Sequence, residues 1–532
     1  MSALETTDSK SDCKEETGPL THERTTFNTA CIIFICTLAM IYNISAGVAL
    51  STSLPFLAND LHIDENQLQW VVSSYTLTSG CFLLLLGRIA DLHGRKKVFI
   101  AGMAWFAAWS LGCGFAKNAI ALDIMRGFQG IGSAAIVPAA IGILAQSFPP
   151  SRTRTMAFAI FSAGAPLGGA LGNVSGSLLT QYASISWRAV FFLSTGLAVA
   201  TALLAWFVVD SDVIDSEEDR RVDWLGAALV TVGLVLLTFV LGQGEVAPQQ
   251  WKTSYIIALF VVSIVILALF VAWEHYVEKN MTLPPLMRLS LWTRAGGRFA
   301  VVQGIAFLTW AGFTSWLFFA VLYYESYQGL SPVNTMIRLL PMAVAGLILN
   351  VIVFLIVARV TGDIIIGIGA LCTGAGCLLF AVIKPSASYW AFGFPSATLA
   401  VVGADFIFSS CSLFTAKIAL PEEQSLAAGV FNTLVQFGGA AGLAVTTVLY
   451  DQIAKKETVK ILGHPTALTD SAAPRDALLK GYRAAQWLNF AFLMAALGLT
   501  IIFLRGIGYV GHAKVKAASD QESQESSDDG EK

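Results

Sequence analysis

The chain has 532 residues, 55% hydrophobic and 13% charged, with a formal net charge of −3. Soluble domains carry about a quarter charged residues, so this balance excludes an ordinary soluble enzyme and points to a membrane protein. Its nearly neutral charge gives no electrostatic case for a nucleic-acid partner, and none is expected.

The opening segment "MSALETTDSKSDCKEETG" is polar and acidic. It lacks the basic region and small-residue cleavage site of a signal peptide and reads as a tail. A bilayer-spanning helix needs about 20 mostly apolar residues. Such runs occur near 28–50, 68–86, 98–116, 119–145, 155–179, 188–209, 223–243, 254–275, 299–322, 333–356, 363–383, 389–412, 427–449 and 484–505. They predict fourteen spans, with a long loop near 450–483 and very short connections after the third and eleventh. The closing "SDQESQESSDDGEK" is acidic and Ser-rich and cannot bury a core.

Lys and Arg bias the short loops so that both termini face the cytosol. The Asn280-Met281-Thr282 sequon then lies on the cytosolic side, and no N-glycan is expected. Seven of the eight cysteines, all but Cys13, sit in apolar stretches. Without metal-ligand spacing they read as small buried hydrophobes, and no metal site is expected.

An internal repeat organises these spans. "FPPSRTRTMAFAIFSAGAPLGGALG" (148–172) and "LPEEQSLAAGVFNTLVQFGGAAG" (420–442) share a Pro, a polar linker and a helix with a small-residue cluster. Near the same offset, "GRIAD" at 87–91 answers to "ARVTGD" at 358–363. The predicted organisation is a cytosolic tail (1–26), a six-helix half (27–210), an inserted helix pair with linkers (211–280), a second six-helix half (281–510) and an acidic tail (511–532). Parallel repeats with a site between them are a transporter design.

The segment "GRIADLHGRKK" (87–97) places five charged residues between two apolar runs. Gly87 permits close helix approach and Gly94 a tight turn. Asp91 can meet a neighbouring helix N-terminus or a cation. Arg95, Lys96 and Lys97 also serve as topology anchors. The pattern resembles the G-x-L-a-D-r-x-G-r-k signature of the major facilitator superfamily. "LDIMRGFQGIGSAA" (122–135) resembles that family's fourth-helix motif, with Arg126, Gln129, Gly130 and Gly132 in register. "FSAGAPLGGALG" (161–172) followed by "SWRAVFF" (186–192) resembles the antiporters' fifth helix and the start of their sixth. Pro166 bends such a helix. Gly164, Gly168 and Gly172 share a packing face, with Gly169 beside them.

These matches, with fourteen spans, resemble the fourteen-span drug:proton antiporter branch, and more narrowly its fungal members. The resemblance implies an all-α fold, two six-helix halves plus the inserted pair, and a cytosolic latch formed by Asp91 and Arg95. Two departures stand out. Ala165 replaces the glycine that usually precedes Pro166, and Ala46 occupies the first-helix position where the branch usually carries an acid.

Ionisable groups within spans cost about 2.5–3.5 kcal/mol each at mid-membrane and default to functional candidates. They are Asp123, Arg126, Arg338 and Asp405. Arg126 belongs either to a transport or relay site, with Gln129, or to an ion pair with Asp123 three residues away. Arg338 is near enough to a helix end to snorkel. Asp405, about 24 Å from the outer start of its span and nearer the cytosol, is either the proton carrier or a carboxylate capped by hydroxyls such as Ser409. Carboxyl groups change charge on burial more readily than guanidinium groups, which favours Asp405 over Arg126. Asn43, Gln303, Asn350, Asn432 and Gln436 are candidate cavity-lining amides, some of them helix glue.

A pump driven by ATP would need a phosphate-binding loop, which the chain lacks, as it lacks H-E-x-x-H and G-x-S-x-G. The expectation is a non-enzymatic, proton-coupled exporter of drugs, toxins or secondary metabolites. It needs no cofactor beyond the proton gradient and works as a monomer in the plasma membrane. The alternatives are an importer or uniporter of a small solute such as ammonium or borate, and the vacuolar membrane.

Overall fold

A computed structural model describes residues 26–509 except 51–52, 62–64, 150, 211, 213–220, 245–246, 248, 358, 421–422 and 465–473. The two predicted tails, all but Thr26, and Cys13 lie outside the described residues. The described chain is helical. Its first half holds α1 (Thr26–Val48), α2 (Leu54–Leu61), α3 (Glu65–Cys81), α4 (Leu83–His93), α5 (Arg95–Gly114), α6 (Ala119–Ser147), α7 (Arg152–Tyr182) and α8 (Arg188–Val208). The inserted pair is α9 (Trp224–Gln243) and α10 (Ser254–Asn280). After a short α11 (Ser290–Thr293), the second half holds α12 (Arg298–Leu322), α13 (Pro332–Ile356), α14 (Gly362–Ala381), α15 (Tyr389–Ile418), α16 (Gln424–Leu462) and α17 (Arg475–Phe503).

Thirteen of these helices are long and apolar enough to cross a membrane, and α3 with α4 makes a fourteenth span, bent by 46° at Phe82. Helices satisfy their own backbone in lipid, so the apolar runs become helical rods, the second of them broken in two. Polar residues punctuate them: Asn118, Ser151, Asp223 and Ser331 each accept a backbone N–H in the first turn of α6, α7, α9 and α13.

Three predicted boundaries are corrected. The second span is two helices. The long loop near 450–483 is mostly helix, because α16 runs to Leu462 and α17 begins at Arg475. Beyond the apolar part, Lys455–Asp451 and Lys480–Glu457 ion pairs accompany this polar extension. The twelfth span runs on to Ile418, so Asp405 lies near the middle of a 30-residue helix and not towards its end.

The sequence repeat has a packing counterpart. On α7, a Cβ at Gly168 would lie 2.7 Å from the Ile41 oxygen, and one at Gly172 would lie 2.9 Å from the Ser45 oxygen, both on α1. On α16, Gly438 faces the Phe307 backbone and Gly442 the Ala311 backbone, both on α12. In each half the fifth span therefore lies flush against the first. Gly164 meets Thr37 and Met40 on the same seam, and Gly169 only touches Ile44.

The inserted pair packs internally through Gly233 against Leu267. It leans on the first half through the stacked rings of Trp70 and Phe239, 5.4 Å apart. Much of α10 is exposed apolar surface (Ile257, Val261, Val265 and Leu269), as expected of a helix facing lipid.

Candidate functional site

The first cluster joins the halves at one end of the bundle. Asp91, near the end of α4, is fully enclosed. Its Oδ1 accepts from Ser425 N (3.1 Å) and its Oδ2 from Leu426 N (2.8 Å). Those N–H groups belong to the first turn of α16, where unpaired donors and the helix dipole favour an anion. Arg95 donates to Asp91 Oδ1 through Nε (3.0 Å) and Nη2 (2.9 Å), and through Nη1 to Gly142 O and Gln146 Oε1. Gly87 is required here: a Cβ would sit 2.7 Å from the Ser425 oxygen.

Gly94 has φ +106°, a conformation that glycine adopts without strain. It starts α5, whose first N–H groups at Lys96 and Lys97 bond the Asp212 carboxylate. Lys96 Nζ reaches Trp206 O and Val209 O at the end of α8, where carbonyls lack helical partners. The tight junction is extended by Arg154 Nη2 donating to Ala416 O and by Thr433 Oγ1 donating to Gly80 O. Glu423, just before α16, is buried and paired with Arg294 at 2.7 Å and Arg288 at 3.6 Å. Sequence reasoning missed Asp212, Ser425 and Glu423, since their roles depend on which helix end comes to face which.

A second cluster lies inside the first half. Arg126 is fully buried on α6. It donates from Nε to Val71 O (3.0 Å), from Nη1 to Gln129 Oε1 (2.7 Å) and from Nη2 to Ala46 O (3.0 Å). Its guanidinium lies 4.5 Å from the centre of the Tyr75 ring, a cation–π contact. Gln129 passes the chain on to Ser110 at 2.6 Å. Tyr75 donates to Ser133, and Ser133 donates to Asn43 Oδ1 at 2.8 Å. The alternative ion pair with Asp123 does not form: Asp123 makes no salt bridge, and its buried Oδ1 has no hydrogen-bond partner. Three residues along one helix allow a meeting but do not enforce it, and the guanidinium instead turns inward to carbonyls of α1 and α3.

The third cluster surrounds Asp405, on the side where α13 of the second half meets α7 of the first. A Cβ at Gly346 would lie 3.1 Å from both Asp405 Oδ2 and Pro166 Cβ, so glycine lets Pro166 of α7 and the carboxyl group approach each other. Asn350 lies beside the carboxyl and donates to Gly346 O at 2.9 Å. Asp405 Oδ2, Asn350 Oδ1 and Ser409 Oγ are all buried without hydrogen-bond partners. Ser409 therefore does not cap the carboxylate.

The other predicted residues are dispersed. Arg338 sits at the opposite end from Asp91, bonded to Gln328 and set against the rings of Tyr324 and Tyr389 at 5.2 and 5.5 Å. No hydrogen bond or ion pair joins Asp405 to Arg126 or Arg338. Gln303 ties α12 to Thr415 of α15, and Asn432 bonds its own helix at Ala428 O. Gln436 is half-buried against Gly80 across the halves. Among the described residues no group of three or more His, Cys, Asp or Glu could hold a metal ion.

Comparison with known proteins gives this arrangement its family. The Major Facilitator Superfamily model matches residues 33–443. The chain is 28% identical over 527 residues to MFS-type transporter 1 of Pyricularia oryzae, covering 91% of this chain and 85% of that one. It is 30% identical to the low affinity ammonium transporter of Saccharomyces cerevisiae, covering 73% and 75%. It is 27% identical to the efflux pump terJ of Aspergillus terreus, covering 89% and 87%. The human organic anion transporter MFSD10 shares the fold, with TM-score 0.62 at 13% identity over 89% of this chain and 99% of that one. With transporters throughout these relatives and two helical halves latched at one end, the chain is a multi-pass transporter that belongs to the Major Facilitator Superfamily.

Proposed function

We propose that the protein exports small amphipathic molecules in exchange for protons, as a member of the fourteen-span drug:proton antiporter branch, with Asp405 as proton carrier. The observation that supports this most directly is the Asp405 carboxyl oxygen, buried without a partner where α13 and α15 face Pro166 of α7. Such a group exists in a low-dielectric interior only at a cost, and intramembrane acids of this kind serve ion pathways. The Asp91–α16 junction is the cytosolic gate in its closed form, so the described state faces outward. Both termini are cytosolic, the membrane is the plasma membrane with the vacuolar membrane as alternative, and one copy suffices. The partners are the small-molecule cargo, protons and the surrounding lipid. No cofactor takes part, and the proton gradient supplies the energy.

A second reading has its own observation. Arg126 bonds the backbone oxygen of Ala46, the position where the branch usually carries an acid, which favours uniport of a small solute. The ammonium-transporting relative is consistent with that reading. The deciding experiment uses proteoliposomes with an imposed pH gradient and a pH-sensitive dye, comparing wild type with Asp405→Asn across cationic and neutral amphiphiles, ammonium and borate. Cargo-dependent proton movement lost in the variant supports antiport. Cargo flux without proton movement, equal in both proteins, establishes uniport instead.

A further inference from the structure

A cavity of about 140 Å³ opens at the end opposite Asp91. Its walls come from the second half alone: the end of α12, α13, the α14–α15 connection and the start of α15. Among the described residues that line it are two cations, Arg338 and Lys384, and no carboxylate. The start of α15 adds the positive end of a helix dipole, and nothing in the lining offsets that potential.

Arg338 is held at one edge and open at the other. Its Nη1 donates to Gln328 Oε1, while Gln328 Nε2 donates to Tyr323 Oη at 3.2 Å. The rings of Tyr324 and Tyr389 flank the guanidinium at 5.2 and 5.5 Å. The remaining edge, Nε with Nη2, donates to no acceptor among the described residues, and neither atom is sealed from solvent. Arg95 grips the Asp91 carboxylate with this same edge. A snorkelling arginine needs only water, whereas holding this one between two rings and an amide costs side-chain entropy.

A hydroxyl completes the cradle. α12 ends in a π-helical turn, Tyr323–Tyr327, a rare geometry that recurs at functional sites. The turn places Tyr324, only 2% exposed, in the cavity wall with no hydrogen-bond partner for its hydroxyl. A Cβ at Gly393 would lie 2.5 Å from that oxygen, so glycine leaves the hydroxyl its space. The volume falls below the about 300–1,000 Å³ of sites for drug-sized ligands, so the cavity takes a head group of a few atoms. An open guanidinium edge matches two coplanar oxygens.

We propose that this cavity binds a small carboxylate, either a free solute or the head of a larger molecule. The Nε–Nη2 edge of Arg338 takes the two oxygens, Tyr324 Oη donates to one of them, and Lys384 at the rim supplies a second charge. The bound carboxylate ties α12, α13 and α15 together at the outward end in the proposed orientation. The site is separate from Asp405 and binds whether or not protons are exchanged there.

The test uses the purified full-length protein in maltoside micelles at fixed pH and ionic strength, with sodium acetate as probe and saturation-transfer NMR of its methyl signal as readout. Saturable transfer is expected, displaced by formate and much less by chloride, which offers no second oxygen. Arg338→Lys keeps the charge and loses the fork, and should raise the half-saturating acetate concentration about tenfold. Tyr324→Phe removes only a hydroxyl, and Lys384→Gln removes one charge from an exposed, unbonded side chain. Each should raise it about threefold, with the melting temperature checking that the variants are folded. Displacement of acetate by short-chain phosphatidylserine but not by short-chain phosphatidylcholine assigns the carboxylate to a lipid head, and no displacement by either assigns it to a free solute. Asp405→Asn should leave acetate binding at its wild-type value, so that this site and proton-coupled export fail or stand separately. Absent saturable transfer, transfer unchanged in all three cavity variants, or chloride displacing acetate as well as formate does overturns the proposal.

Discussion

Replacing Asp91 by Asn should open the closed end of the transporter. The carboxylate accepts four hydrogen bonds between 2.8 and 3.1 Å, two from the first turn of α16 and two from Arg95. Only the pair to α16 joins the two halves. Hydrogen bonds to a charged group contribute about 1.5–3 kcal/mol each. The asparagine retains one acceptor oxygen but turns its NH2 group towards donors and loses the charge facing the helix dipole. The closed state should therefore lose about 2–4 kcal/mol relative to the open one, a population shift of about 30- to 700-fold.

Spin labels at His93→Cys and Leu420→Cys, both exposed near the junction, would report the separation of the halves by double electron–electron resonance. Cys31 and Cys372, the partly accessible thiols among the described residues, would first be replaced by serine. Gly87→Ala supplies a second arm, because its Cβ would press on the Ser425 oxygen at 2.7 Å without touching any charge. Both variants should add a longer distance population. A distribution unchanged in both, in folded protein, would refute the assignment of this junction as the latch.

Three further outcomes follow from the same geometry. Gly172→Ala forces a methyl against the Ser45 backbone and Val48, and overpacking of this kind costs about 1–3 kcal/mol; the melting temperature in detergent should fall, and an unchanged value would mean that the α1–α7 seam yields freely. Arg126→Lys keeps the charge but loses the fork that reaches Val71 O, Gln129 and Ala46 O together, so transport should drop at least about tenfold, measured as initial flux at equal protein. Asn280, at the exposed end of α10, should remain unglycosylated in a eukaryotic host; a mobility shift on deglycosylation would reverse the proposed orientation.

How much of the site was legible in the sequence varies by residue. The Gly-Asp-Gly frame at 87–94 was readable because each position answers a backbone requirement: close approach, an anion at a helix start, a positive φ. The partner strip at Ser425 and Leu426 was not readable, since any helix N-terminus offers the same donors. For Arg126 the sequence supplied a nearby acid, and the fold chose carbonyl oxygens. Tyr75 and Ser133 carry no local mark, and only the meeting of α1, α3 and α6 makes them a chain of hydroxyls. Asp405 was conspicuous as a charge in an apolar run, yet its depth depended on where α15 ends. That end lies six residues past the predicted run, because Leu413 to Ile418, broken only by Thr415 and Lys417, carries the same helix on.

By itself the sequence determined the membrane environment, the number of spans and the repeat, because these follow from apolar run length and from small-residue spacing along one chain. Only the tertiary structure decided which glycine seams close on which helices, that Asp91 reaches across to the other half, and that Gly346 brings Asp405 and Pro166 of the other half together. Those are relations between surfaces hundreds of residues apart, and no local pattern carries the distance between them.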